Sequence, residues 1–487
     1  MLFNSIQFAI FLPIVFAIYW LLRNQLRLQN LFVVLASYVF YGWWDWRFLI
    51  LIAFTSFCSW GSGLLIAKKN ENNTEGHGGG QNVIFASKIW LIANIVLNLG
   101  ILATFKYYDF FVSEFGALFG ISTESLLLRI ILPVGISFYT FQALSYSIDV
   151  YRGNIMPTKD IVAFFAFISF FPQLVAGPIE RATNLLPQFL QKRTFSYEQG
   201  VDGMRQILWG LFKKIVVADS CAMYVDQVWT TYDTQSGSTL LLAAVLFTFQ
   251  IYGDFSGYSD IAIGTAKLFG IKLMRNFNNP YFSRDIAEFW RRWHISLTTW
   301  FRDYVYIPLG GSRVSKAKIV RNTFVIFLLS GFWHGANWTF IAWGAYHAVL
   351  FLPLILLGMN RKYTNQVAEG RWLPTLKETG QIVLTFMLAV IGWIIFRATS
   401  ISEAWSIMKG ICNVSLLSMP QAGSTKMIPT LCMIALMSVV EWVQRNKMHG
   451  LEMNIKQWYI RYPIYLFFML TIVFFYSKAE AFIYFQF

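Results

Sequence analysis

"NTFVIFLLSGFWHGANWTFIAWGAYHAVLFLPLILLGMN" (residues 322–360) carries no charged side chain, yet a histidine, His334, stands inside it. Arg321 precedes the run and Arg361 comes directly after it. As one helix, at ~1.5 Å per residue, it would extend ~58 Å, about twice the ~30 Å hydrocarbon thickness of a bilayer. The run must therefore break, and Gly331 and Gly335 bracket the place. The arm before the break, 322–332, is long enough for about half a membrane. His334 is thus expected at a broken or re-entrant point, in space lined by protein. Non-helical backbone at membrane depth is tolerated only there. Two roles fit such a histidine. It can be a neutral ring bonded to a neighbouring carbonyl, as intramembrane polar groups often are. It can also be a general base, since a neutral imidazole with an ordinary pKa near ~6.5 takes up a proton at working pH.

The rest of the chain has the same character. Of its 487 residues 56% are hydrophobic and 13% charged, where a soluble domain carries about a quarter charged residues. Many windows reach the ~20 apolar residues that a bilayer crossing needs. This composition predicts an all-α polytopic membrane protein. Apolar segments recur near 5–22, 30–44, 47–67, 87–105, 127–147, 160–177, 206–220, 237–252, 257–271, 322–358, 378–397, 428–444 and 462–477. About eleven crossings are expected, with the remaining pieces re-entrant or interfacial. Residues 5–22 are expected to stay as a first helix, because no basic cluster precedes them and no small-residue cleavage site comes after.

The net charge of +14 does not point to nucleic acid. Lys and Arg collect in short loops between apolar segments, as the positive-inside bias requires. Arg23 and Arg27 follow the first helix, and Lys68 and Lys69 follow the third. Both loops are placed in the cytoplasm and the N-terminus outside it. The stretch 68–82, "KKNENNTEGHGGGQN", reads as a flexible linker with a solvated His77. The polar stretches 178–205, 272–318 and 359–377 interleave basic and aromatic residues, which suits helices lying in the interface. Cys58, Cys221, Cys412 and Cys432 are scattered, with neither disulfide nor zinc spacing. There is no glycine-rich phosphate loop. Neither a bound metal nor a bound cofactor is expected.

Ionisable groups inside a bilayer are costly and mark functional sites or structural pairs. His294 lies in "RRWHISLTTW", near an interface. "QIYGDFSGYSDIAIG" (250–264) places Asp254, Ser256, Ser259 and Asp260 in apolar surroundings, and structural ion pairs with Arg291, Arg292 or Arg302 are the favoured reading. "FPQLVAGPIERA" (171–182) marks a broken helix or re-entrant turn, with Glu180 and Arg181 at the membrane surface. His347 comes thirteen positions after His334. On a continuous helix that is roughly 220° away, so His347 reads as packing. His449 sits in a basic loop and needs no special role.

These features leave two classes of function. One is an intramembrane transferase with a histidine base. The other is a transporter or flippase-type conduit for a lipid-linked or polysaccharide substrate, in which broken helices and buried Asp and His form the path. Two observations lean against the conduit. The halves of the chain lack matched interrupted segments, and no acidic chain accompanies the histidine.

"LPVGISFYTFQALSYSIDVYRG" (132–153), "FPQLVAGPIER" (171–181), "QIYGDFSGYSDIAIG" (250–264), "FWRRWHISLTTWFRDYVYIPLGG" (289–311) and "FWHGANW" (332–338) occur in this order. Together they resemble the membrane-bound O-acyltransferase family, in its bacterial alginate O-acetyltransferase-like branch. The opening "MLFNSIQFAIFLPIVFAIYW" and closing "FIYFQF" resemble the same branch. The likeness covers nearly the whole chain, read as a single domain over 1–487 with core motifs in 132–347. It implies a ring of transmembrane helices around a central tunnel from the cytoplasm to the outer face. It implies an acetyltransferase that takes acetyl-coenzyme A or an acyl carrier thioester as donor substrate from inside. The acceptor would be an extracytoplasmic polysaccharide hydroxyl, either alginate-like or of the cell wall. The family's near-universal histidine matches His334, and its second polar position matches His294. Asp254, Ser256, Asp260, Arg291, Arg302, Trp333 and Asn337 are candidates to line the tunnel or support it. The basic residues Arg181, Lys192, Arg193, Lys213 and Lys214 would suit coenzyme A phosphates or an acidic carrier, although positive-inside bias also accounts for them. The likeness further implies the cell inner membrane and a separately encoded periplasmic acetyltransferase as partner.

Overall fold

The computed structural model describes residues 1–74, 80–421, 426–476 and 482–483, with the side chains of 68–85 outside the description. His77 lies outside the described residues. The described residues form helices and connecting turns, with no strand among them. Among the described residues, six helices are long and apolar enough to cross a membrane: Phe48–Ala67, Ala86–Lys106, Gly237–Leu268, Trp338–Leu356, Leu376–Arg397 and Trp458–Phe475. Ile6–Leu21 and Met427–Val443 are apolar but shorter.

Several other apolar segments are divided. The 160–177 segment becomes Ile161–Ser169 and Phe171–Leu174, because Pro172 suits a helix start and not a helix interior. The linker expected over 68–82 is narrower than that. The Phe48–Thr74 helix runs on past Lys68 and Lys69, and the next helix starts at Gly80. Polarity here does not mark where the helix ends, for it continues over Lys68, Lys69 and Glu71 although Asn and Thr are weak helix formers.

Residues 1–203 with 262–274 form one compact unit. Polar side chains tie its helices together. Asn94 donates to Ser147 Oγ at 2.7 Å, and Ser59 donates to Asn94 Oδ1 at 3.2 Å. Arg193 is buried and donates to the side-chain oxygens of Gln29 and Asn30 at 2.9 and 2.6 Å. Such bonds hold helices together where contact with lipid is as favourable as contact between apolar side chains. Glu180, expected at the surface, is fully buried. It accepts from the Met274 backbone N–H and from Asn184, and burial pushes its carboxyl up to about 7.

Residues 204–261 with 275–487 form the second unit. A methyl group on Gly210 would stand 2.6 Å from the Gly257 carbonyl oxygen, and one on Gly257 would stand 2.7 Å from that of Gly210. Two helices therefore meet backbone to backbone here. Just beyond, the π-helical turn Phe212–Ala218 carries Lys213 and Lys214 into the interior. Lys213 Nζ pairs with Asp260 at 2.6 Å, and Lys214 Nζ pairs with Asp254 at 2.8 Å and Asp219 at 2.9 Å. A π turn inserts a residue into the helical repeat and re-aims the side chains beyond it. No 3.6-residue pattern reveals it.

Candidate active site

The uncharged run breaks where its length and its glycines require. The Lys316–His334 helix ends on His334 itself, and Gly335 is extended. Asn337 caps the Trp338–Leu356 helix by accepting from Thr339 N–H at 2.9 Å, and its amide donates to Thr399 O at 2.9 Å. The first arm starts at Lys316 and is 19 residues long, so the pair is a hairpin of two long helices and not a half-length re-entrant arm. The arms touch backbone to backbone. A methyl on Gly331 would lie 2.1 Å from the Phe340 carbonyl oxygen, and one on Gly344 would lie 2.4 Å from that of Phe327. His334 is 4% exposed. Its ring meets Trp333, Trp343 and Phe396 edge-on at 4.9, 5.2 and 5.2 Å.

His294 is placed by a different device. Asp285 caps the short helix Ile286–Arg292, Trp293 is extended, and the helix Ile295–Phe301 begins after the corner. His294 forms that corner with φ +42°, a left-handed conformation uncommon outside glycine. Strained backbone of this kind gathers at functional sites. The preceding segment holds the corner, because Asn278 N–H donates to Arg292 O and Ile295 N–H donates to Asn276 O, each at 2.9 Å. The His294 ring is 1% exposed, edge-on to Phe255 at 4.5 Å and to Trp333 at 6.0 Å. His294 Nδ1 lies 3.1 Å from Asn276 Oδ1. The same oxygen accepts from Ser296 Oγ at 2.9 Å and from Ser296 N–H at 3.3 Å. Asn276 Nδ2 donates to Ser259 Oγ at 3.1 Å. His294 Nε2 meets no hydrogen-bonding group among the described residues. Burial pushes the imidazole down to about 3, so the ring is neutral.

Both histidines thus lie on one indole, Trp333, one through its own chain neighbour and one from another helix. The other candidates fall elsewhere. Asp254 and Asp260 are structurally paired, as expected, but with Lys214 and Lys213 rather than with arginines. Arg291 donates to the backbone carbonyls of Asn360 and Tyr363, and Arg292 pairs with Glu288 at 2.8 Å. Arg302 pairs with the adjacent Asp303 and stays largely exposed. Ser256 is buried, and its Oγ has no hydrogen-bond partner among the described residues. Three of the five residues taken as a possible basic surface are buried, Lys213 and Lys214 in ion pairs and Arg193 against the side-chain amides of Gln29 and Asn30.

His347 packs, as expected, with Nδ1 accepting from Trp290 Nε1 at 3.3 Å. The helix break nevertheless brings it near His334, for both rings meet Trp343, at 5.0 and 5.2 Å. Asn276, Phe255 and Phe396 escaped sequence reasoning. "NFNNPY" (276–281) reads as turn chemistry, which does not single out the fully buried Asn276 among its asparagines.

Two buried imidazoles, those of His294 and His334, thus meet one indole in an all-helical protein with six candidate membrane spans among its described residues. A sequence model of MBOAT, the membrane-bound O-acyltransferase family, matches residues 155–364. The chain is 41% identical over 415 residues to the probable alginate O-acetylase AlgI of Pseudomonas aeruginosa, covering 84% of this chain and 75% of that protein. It is 32% identical over 536 aligned positions to the peptidoglycan O-acetyltransferase of Helicobacter pylori, covering 100% and 98%. The teichoic acid D-alanyltransferase of Bacillus subtilis is 30% identical over 280 residues, covering 54% of this chain and 68% of that one. The chain belongs to the membrane-bound O-acyltransferase family, and it is an O-acyltransferase of the membrane.

Proposed function

We propose that the protein moves an acetyl group from a cytoplasmic thioester to a hydroxyl destined for an extracytoplasmic polysaccharide, with His334 as general base. The observation that carries this reading is the meeting of His334 and His294 on Trp333, where both rings are buried. The names of the relatives, alginate O-acetylase and peptidoglycan O-acetyltransferase, support acetyl as the group and a polysaccharide as its destination.

A hydroxyl is a weak nucleophile near neutral pH, and a positioned base raises its rate by about 10²–10⁴-fold. The His334 ring takes the hydroxyl proton as the oxygen attacks the thioester carbonyl. The carbon–oxygen bond forms, the carbon–sulfur bond breaks, and the imidazolium returns its proton to the departing thiolate. His294 either orients the hydroxyl or donates to the developing oxyanion. The donor is acetyl-coenzyme A or an acyl carrier thioester, acting as substrate. The basic residues Arg23 and Arg27 after the first helix, and Lys68 and Lys69 towards the end of the third, support an N-terminus outside the cytoplasm and residence in the cell inner membrane. A separately encoded periplasmic acetyltransferase then completes delivery to the glycan.

Expression of wild type and His334→Ala at equal membrane levels, with O-acetyl ester measured on secreted and wall glycans, tests the reading. Loss of ester in the variant is expected. Unchanged acetylation would sink the catalytic role of His334.

A further inference from the structure

We infer that Asn276 is a positioning residue whose side-chain amide holds His294 in the Nδ1–H tautomer, so that Nε2 faces the site as a hydrogen-bond acceptor. The inference rests on the acyl-transfer reading only for its consequence. Between the two roles open to His294, it selects orientation of the acceptor hydroxyl and sets aside donation to the oxyanion.

The assignment turns on one backbone N–H. Asparagine oxygen and nitrogen are assigned from their surroundings, as is the proton of a neutral histidine. Ser296 N–H can only donate, and it lies 3.3 Å from one terminal atom of the Asn276 amide. That atom is therefore the oxygen. Ser296 Oγ, 2.9 Å away, donates to it as well. His294 Nδ1 sits 3.1 Å from the same oxygen and 3.5 Å from Ser296 Oγ, whose hydrogen is directed to the nearer Oδ1. A lone pair on Nδ1 would face a lone pair on Oδ1, so Nδ1 carries the hydrogen. In a neutral ring the other nitrogen is then bare. The opposite end of the amide is anchored by Nδ2 donating to Ser259 Oγ at 3.1 Å, and Asn276 O accepts from Ile295 N–H at 2.9 Å. Asn276 is fully buried, and the Ser296 N–H is what fixes which end of its amide is the oxygen. The partnerless Nε2, 1% exposed with its ring, is what this arrangement leaves for a ligand.

The test uses purified full-length protein, ¹⁵N-labelled on histidine, in lipid nanodiscs, with His294→Gln to assign the resonances. Wild type is expected to show His294 protonated at Nδ1 and bare at Nε2. Asn276→Asp, which keeps an oxygen acceptor, is expected to keep the hydrogen on Nδ1 and most of the acetyl transfer. Asn276→Ala is expected to lose that tautomer and to lower transfer by about 10–100-fold, taking the range for outer-shell partners that orient metal-bound histidines as a guide. A hydrogen on Nε2 in wild type overturns the assignment without any variant having to fold, and so does an unaltered tautomer in Asn276→Ala. If the tautomer is as stated while His294→Gln transfers acetyl at the wild-type rate, the assignment stands and the catalytic reading of His294 falls.

Discussion

His294 and His334, forty residues apart in sequence, rest on the same indole, that of Trp333, at 6.0 and 4.9 Å. Trp333 thus touches both imidazoles, while the Asn276 segment also holds His294 in its corner. Misplacing a reacting group by about 1 Å can lower a rate by ~10²-fold. Trp333→Ala is expected to reduce acetyl transfer by at least that order at normal membrane levels, and Trp333→Phe to retain far more. Equal activity of the two variants in a transfer assay would show that contact with the indole does not position the imidazoles.

Gly331 and Gly344 let the hairpin arms close, and neither has room for a methyl group. The atoms in the way are backbone carbonyls, which cannot rotate aside. Overpacking of this kind destabilises by about 1–3 kcal/mol. Gly331→Ala and Gly344→Ala should each lower the thermal midpoint in detergent. A midpoint equal to wild type for both would mean the arms are less tightly joined than described.

The buried lysines give a contrasting expectation. Lys214 lies between Asp254 and Asp219 with its side chain 5% exposed. Removing one partner of a buried pair strands the other and destabilises by about 3–5 kcal/mol. Lys214→Met should therefore reduce folded protein in the membrane, with activity per folded molecule little changed. Normal folded levels with abolished activity would instead place Asp254 in the chemistry.

Burial depresses the His294 pKa from 6.5 to about 3. Below pH ~6.5 the unfolded chain takes up a proton that the folded protein refuses. This contribution to stability is complete above pH ~6.5 and is lost as pH falls towards ~3, at a slope of at most ~1.4 kcal/mol per pH unit. Thermal midpoints between pH 7 and 4 should fall less steeply in His294→Gln than in wild type. Parallel slopes would mean that the ring is not held neutral by burial.

Much of the hairpin was legible in the amino-acid order alone. The length of 322–360 against the thickness of a bilayer demanded a break, and Gly331 and Gly335 located it at His334. The pairing of Asp254 and Asp260 was legible as a need, since a buried carboxylate requires a partner. Its answer was not, because the π turn at Phe212–Ala218 hides the inward aim of Lys213 and Lys214. The proximity of His347 to His334 was missed for a related reason. Helical angles add up only along an unbroken helix, and this one breaks between them. His294 was a weak candidate from its residues and gained weight only through resemblance, and its partner Asn276 belongs to a corner that no local periodicity describes.

Turnover by the purified protein bears most directly on His334. Wild type and His334→Ala, each in sealed proteoliposomes, are given acetyl-coenzyme A on one side and the partner acetyltransferase with an acceptor glycan on the other, and free thiol and ester are measured together. Wild type is expected to release thiol in step with ester formed, and His334→Ala to do so about 10²–10⁴-fold more slowly. Equal rates in the two proteins, or movement of substrate across the bilayer with no thiol released, would contradict an acyl transfer driven by the His334 base.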